Sequence, residues 1–144
     1  MDKEQWEKYV KEKVDGYTNR GDGVFDDVMG AYYADCDFEE QSVSIELPTH
    51  KWQINERGGI HGGAIAGMFD TALGIVGNLV AGENEAATAD MNISFIRPVE
   101  FGQHTVIKTY IVKKGRSLIR LRGEMYCKET GKLVATAVGT WIPL

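Results

Sequence analysis

Residues 55–82, NERGGIHGGAIAGMFDTALGIVGNLVAG, constrain what this chain can fold into more than any other stretch. Glycines and a histidine open it, and an almost entirely apolar run follows, interrupted by one charge, Asp70. A helix that is apolar on every side must be enclosed. A carboxylate inside such a helix is costly unless it is satisfied or used. The run is also long enough to suggest a membrane span. Asp70 near its centre would cost about 2.5–3.5 kcal/mol on insertion, and Asn78 and the internal glycines lower its apolarity further. The stretch therefore reads as the core helix of a globular domain, and the flanking chain must supply its cover.

That cover is legible as strands. Val43, Ile45 and Leu47 alternate with Ser42, Ser44 and Glu46, and Pro48 stops the run. After the helix, Ala89, Met91, Ile93 and Phe95 alternate with Thr88, Asp90, Asn92 and Ser94, until Arg97-Pro98 ends the ladder. Strict alternation puts Asp90 on the face of Thr88. Residues 104–112 are rich in β-branched side chains, and KKGR at 113–116 reads as a hairpin connection in which glycine supplies the special dihedral. Residues 117–128 and 133–142 complete a meander, joined by ETGK. Ahead of all this, residues 2–14 form an amphipathic helix with Asp2 as its N-cap, and a short helical turn over 25–29 ends at Gly30. Both are expected to pack on the body of the domain without carrying chemistry. The economical architecture is α+β: an antiparallel sheet wrapped around one long central helix. One domain is expected over 1–144, with 1–24 as a helical extension and 25–144 as the core.

Composition excludes several function classes. The net charge of −5 and scattered basic residues disfavour nucleic acid. Cys36 and Cys127 have no metal-ligand spacing and are too few for a disulfide framework. His50 and His104 lack companions for a metal site. Residues 1–15 are charged throughout and contain no apolar signal core. A reduced, cytoplasmic setting is expected, with no cofactor and no metal.

Asn55, His61-Gly62-Gly63, and Asp70-Thr71-Ala72 nine residues after the histidine, followed by Thr88-Ala89-Asp90-Met91-Asn92 and Phe95-Ile96-Arg97-Pro98, resemble the hotdog fold, and within it the PaaI-like acyl-CoA thioesterases of the 4-hydroxybenzoyl-CoA thioesterase superfamily. The likeness covers about residues 25–142. It implies that Asp70 is the general base or nucleophile. It implies that the backbone N–H of Gly62 polarises the thioester carbonyl, and that Asn55 and Thr88 orient water or substrate. It also implies dimers or dimers of dimers. Alternatives on the same fold are an acyl-thioester dehydratase or hydratase, which the spacing from HGG to Asp70 disfavours, and a non-catalytic acyl-thioester-binding domain, which would gain nothing from the carboxylate.

Elementary chemistry runs parallel to the resemblance. Thioester hydrolysis needs a positioned nucleophile and donors aimed at the developing oxyanion. A helix N-terminus offers free N–H groups and partial positive charge, and glycines such as Gly62 and Gly63 let a ligand come close to the backbone. Apolar surroundings would make Asp70 a stronger base. His61, at the start of the helix, is expected either to cap it or to touch substrate. Thr71 is expected to help position a water or to bond its own helix backbone, and Lys113, Lys114 and Arg116, followed by Ser117, with Arg97 as a further candidate, to meet the phosphates of coenzyme A. Finally, Gly62 and Asp70 lie eight positions apart, roughly 12 Å along a helix rising about 1.5 Å per residue. One thioester cannot easily touch both, so a working site is expected to combine Gly62 of one chain with Asp70 of another.

Overall fold

A computed structural model of the chain describes residues 1–18 and 20–144. The apolar run forms α3 (Gly62–Ala81). Before it come α1 (Lys3–Tyr17), α2 (Phe25–Val28), β1 (Tyr32–Asp37) and β2 (Ser42–Leu47). After it come β3 (Ala86–Phe95), β4 (Thr105–Lys114), β5 (Ile119–Cys127) and β6 (Leu133–Pro143). The strands make one six-stranded antiparallel sheet in the order β1-β2-β4-β5-β6-β3. The expected helix-and-sheet architecture is the one found.

The alternating rows explain why α3 lies where it does. Val43, Ile45 and Leu47 of β2, Ile107 of β4, Leu121 and Met125 of β5, and Ala135, Ala137 and Trp141 of β6 are buried with Met68, Phe69, Ala72, Leu73 and Val76 of the helix. Gly123 sets the approach distance: a Cβ there would stand 2.9 Å from Leu73 Cδ1 and 3.2 Å from Phe69 Cε1. Only a residue without a side chain lets the helix come this close to β5. α1 braces the far end, its capping box closed by Gln5 N–H donating to Asp2 Oδ1 (2.9 Å) and Asp2 N–H to Gln5 Oε1 (3.1 Å). The Tyr9 hydroxyl donates to Leu79 O at 2.9 Å, tying α1 to α3.

Three expectations need correction. First, α3 is not enclosed all round. Its Ile65, Met68, Phe69, Leu73 and Val76 are buried, whereas Gly63 and Asp70 are exposed and Ala66, Gly67 and Gly74 are half-buried. Small residues carry little apolar area, so a protomer can leave this stripe open at small cost. Second, the β4–β5 connection is Gly115–Leu118, closed by Gly115 N–H donating to Leu118 O at 2.9 Å. The irregularity between Ile111 and Lys113 carries β4 on through Lys114. Gly115 is not left-handed; it is needed for space, because a Cβ would lie 2.8 Å from Leu118 O. Third, β3 does not alternate strictly. Thr88 pairs with Trp141 and Asp90 with Thr140, so Ala89 is an extra residue in a bulge. The bulge turns Thr88 to the helix side with Trp141 and leaves Asp90 on the outer side, 3.7 Å from Arg120 Nη1.

One buried charge anchors the outer face of the sheet. Glu46 is 4% exposed and accepts from Lys128 Nζ at 2.7 Å, from His104 Nδ1 at 2.8 Å, and from the Tyr32 hydroxyl. Burial pushes its carboxyl upward, but hydrogen bonds and charge from Lys128 and His104 outweigh burial, and the net shift is downward. A carboxylate held below its unfolded value stabilises the fold above that value, and the contribution is lost as pH falls through the folded one. Urea midpoints of the wild type should therefore drop as pH falls below about 4.3, the ordinary glutamate value. Glu46→Gln should be less stable at neutral pH and show a shallower acid decline; an equally steep decline would remove Glu46 as its source.

Candidate active site

Asp70 leaves α3 on its open stripe, and Thr88 reaches it from the edge strand. The Thr88 hydroxyl donates to Asp70 Oδ1 at 2.7 Å. Because that bond uses the only hydroxyl proton, the Thr88 oxygen is left as an acceptor. The two residues share a cleft of about 280 Å³ with Asp26, Gly74, Asn78 and Trp141. Trp141 forms its floor, with a buried indole N–H that has no partner among the described residues.

The start of α3 forms a separate pocket. His61 caps the helix, its Nδ1 accepting from Gly63 N–H at 2.8 Å. Nδ1 is therefore unprotonated, and the Gly63 donor is consumed. Gly62, one residue earlier, keeps its N–H outside this cap. It lines an apolar hollow of about 300 Å³ with Ile60, Ile65, Phe95, Ile96 and Arg97. The hollow is at the Phe95 end of β3, whereas Asp70 sits at the Thr88 end. Gly62 and Asp70 of one chain thus belong to two different depressions.

The remaining candidates fall in other places. Asn55 holds its own turn: Oδ1 accepts from Arg57 N–H at 2.8 Å, and its backbone N–H donates to Gly59 O at 2.7 Å. Thr71 bonds neither the helix backbone nor an open space; its hydroxyl donates to Asp26 Oδ1 at 2.6 Å. Arg116 and Ser117 are exposed in the β4–β5 turn and line neither depression. Register nevertheless places that turn at the Thr88 end of the sheet, since Ile119 pairs with Trp141 and Trp141 with Thr88. Among the described residues, no cluster of His, Cys, Asp and Glu is arranged to hold a metal.

The structure also brings in residues that sequence reading left out. α2, expected to carry no chemistry, lies over α3 beside Asp70. Gly67 makes room for it, because a Cβ there would stand 2.6 Å from Phe25 Cζ and 2.9 Å from Met29 Cε. Asp26 is thereby drawn into the Asp70 cleft, with Tyr17, Arg20 and Glu85 also on its wall. No local periodicity signals this, because a loop segment meets the helix only through tertiary packing.

Known proteins with this sequence pattern and shape agree with one another. Residues 57–134 match the family model described as the thioesterase superfamily, a span that includes Gly62, Asp70 and Thr88 but not Asn55. Acyl-coenzyme A thioesterase 13 of Mus musculus is 30% identical over 97 residues, covering 66% of this chain and 68% of the mouse protein. The structure of thioesterase superfamily member 2 from Mus musculus matches with a TM-score of 0.75 and 25% identity, over 100% of this chain and 99% of that one. The PaaI protein from the phenylacetic acid degradation operon of E. coli matches with a TM-score of 0.80 and 17% identity, over 96% and 95% of the two chains, a likeness of fold.

The cap geometry yields a direct test. His61→Ala should cost about 1 kcal/mol of stability, the usual value of a side-chain N-cap, while His61→Asn should restore most of it. Urea unfolding would measure both, and a His61→Ala protein as stable as wild type would mean that the cap contributes nothing.

Proposed function

This chain belongs to the thioesterase superfamily and is an acyl-CoA thioesterase, and from that premise we propose that Asp70 and Thr88 of one protomer act with Gly62 of its partner on an acyl-CoA bearing an aromatic or medium-chain acyl group. The observation that carries the proposal is the Thr88–Asp70 hydrogen bond at an open sheet edge. The products are the free acid and coenzyme A, and the step uses protein groups and water alone.

Asp70 accepts a proton from a water that the Thr88 oxygen helps to hold, and that water adds to the thioester carbonyl carbon. The carbonyl oxygen becomes negative as the bond forms, and Gly62 N–H at the positive end of α3 receives it. Collapse breaks the C–S bond, the thiolate leaves with the proton held by Asp70, and the acid is released. Direct attack by the carboxylate, with water then cleaving the mixed anhydride, uses the same groups. Asp70 is exposed in the protomer, so shielding the reaction from bulk water falls to the partner's surface.

The open edge supports the dimer. β3 has β6 on one side only, and its residues 87–90 are exposed together with Phe95 (56%) and Ile96 (47%). An unpaired strand of this length invites a second strand. Two copies joined by β3 about a twofold axis run antiparallel, which sets the Phe95 end of one against the Thr88 end of the other. The hollow beside Gly62 then faces the cleft of the partner's Asp70. Arg97, beside Gly62, and Arg116 with Ser117, at the Thr88 end, would approach the same site from two chains. These are the groups we assign to coenzyme A phosphates.

Two variants separate the half-sites. Gly62→Pro removes the N–H at the first helical position, where proline is best tolerated, and His61 (φ −61°, ψ 138°) already has the backbone that precedes proline. It should fold normally and lose about 10²–10³ in kcat. Asp70→Asn should lose about 10²–10⁴. Co-refolding the two in equal amounts should restore about a quarter of wild-type activity, because half the dimers are mixed and each mixed dimer holds one intact site. Restoration to no more than the level of the separate variants would place both groups in a single-chain site; full activity in Asp70→Asn would end the assignment of Asp70.

A further inference from the structure

A second cavity is larger than the Asp70 cleft. It measures about 660 Å³ and lies between α1, the C-terminal end of α3, the β1–β2 turn and β4. Trp6, Tyr9, Phe38, Leu79, Val80 and Ile111 make its wall. The Asp70 cleft, by contrast, is bounded by β3 and β6 through Thr88 and Trp141. In the sheet order β1-β2-β4-β5-β6-β3 the two lie toward opposite edges, with α3 between them. Along the helix, Thr71, Gly74 and Asn78 face the cleft, while Leu79 and Val80 face the cavity. A ligand in one therefore does not reach the other within a protomer.

The two spaces differ in charge as well as position. Asp26, Asp70 and Glu85 line the cleft beside the cation Arg20, whereas among the described residues no acid lines the cavity. Two of its uncharged side chains donate within the protein: the Tyr9 hydroxyl to Leu79 O, and Gln41 Nε2 to Phe38 O at 2.7 Å. Lys114 adds an exposed ammonium that forms no ion pair among the described residues, and Met1 also lines the space. Apolar walls with a few polar or charged groups are the usual make-up of a small-molecule site, and the volume falls within the customary range of about 300–1,000 Å³. We propose that this cavity is a second ligand site, separate from the catalytic one, and that it takes an aliphatic carboxylate whose chain lies against Trp6, Leu79 and Ile111 and whose head group meets Lys114.

The site rests on shape and charge and not on the thioesterase mechanism, so its test reads binding alone. Calorimetric titration of the full chain with dodecanoate, below its micelle concentration, should show about one site per chain. Acetate should not bind, since it lacks the apolar tail. Lys114→Glu should weaken dodecanoate by about tenfold and improve binding of dodecyltrimethylammonium. Ile111→Trp, placed to fill the cavity, should abolish both. Independently of whether that variant folds, dodecanoate should shift the wild-type amide resonances of Leu79, Val80 and Gly82 and leave that of Asp70 in place. Asp70→Asn should bind dodecanoate as wild type does. Failure of the wild type to bind, shifts centred on Asp70 and Gly74, or indifference to the sign of charge at residue 114 would each overturn the proposal.

Discussion

A hydrogen bond from the Thr88 hydroxyl to the Asp70 carboxylate joins the core helix to the edge strand, and it needs both elements to be in unusual states. The helix must leave one stripe uncovered, which it does by placing glycine and alanine there instead of large apolar residues. The strand must present a polar side chain toward the helix, which it does by means of the bulge at Ala89. Glycines elsewhere keep the frame tight enough for the two to meet: Gly123 admits the helix to β5, and Gly67 admits Phe25 to the helix. The Asp70–Thr88 pair is therefore supported by the packing of the core, in keeping with sites held by rigid elements.

The same arrangement explains why a protomer by itself is chemically divided. Donors and base sit on one helix, but a rigid rod separates them by about two turns. The proposed second copy would meet this separation simply, because twofold pairing of an edge strand exchanges its ends. In that dimer the exposed apolar residues at the Phe95 end and the exposed carboxylate at the Thr88 end would be two halves of one surface. The unpaired edge is ordinarily an aggregation hazard that proteins blunt with charge or proline; the proposed dimer would give it a use. On the far side of the sheet the opposite edge is protected by α1 and by Asp35 and Asp37 on β1.

Polar groups away from the catalytic face have a different task. Glu46 is buried on the outer side of the sheet with three donors around it, so its charge is compensated and its geometry fixed. His104, which as a sequence feature has no companion, finds one here only because β2 and β4 pair in register, with Glu46 opposite Val106. The cavity under α1 carries the opposite electrostatic sign from the cleft at Asp70, and the helix between them keeps those two environments apart.

Much of this was determined by the sequence alone. The long apolar run required a covered helix, period-two alternation required a sheet to cover it, and the spacing from His61-Gly62-Gly63 to Asp70 put a donor and a carboxylate on one rod. These signals are local, and local periodicity is read directly from residue order. Tertiary structure decided the rest. Alternation placed Thr88 and Asp90 on one face, whereas pairing with β6 inserts Ala89 and separates them, sending Thr88 to Asp70 and Asp90 to Arg120. Adjacency to Asp70 made Thr71 a candidate for holding a water or bonding its own helix backbone, whereas the packing of α2 gives its hydroxyl to Asp26. A bulge depends on the partner strand and a loop contact on the whole fold, so neither is written in the spacing of the residues that form it.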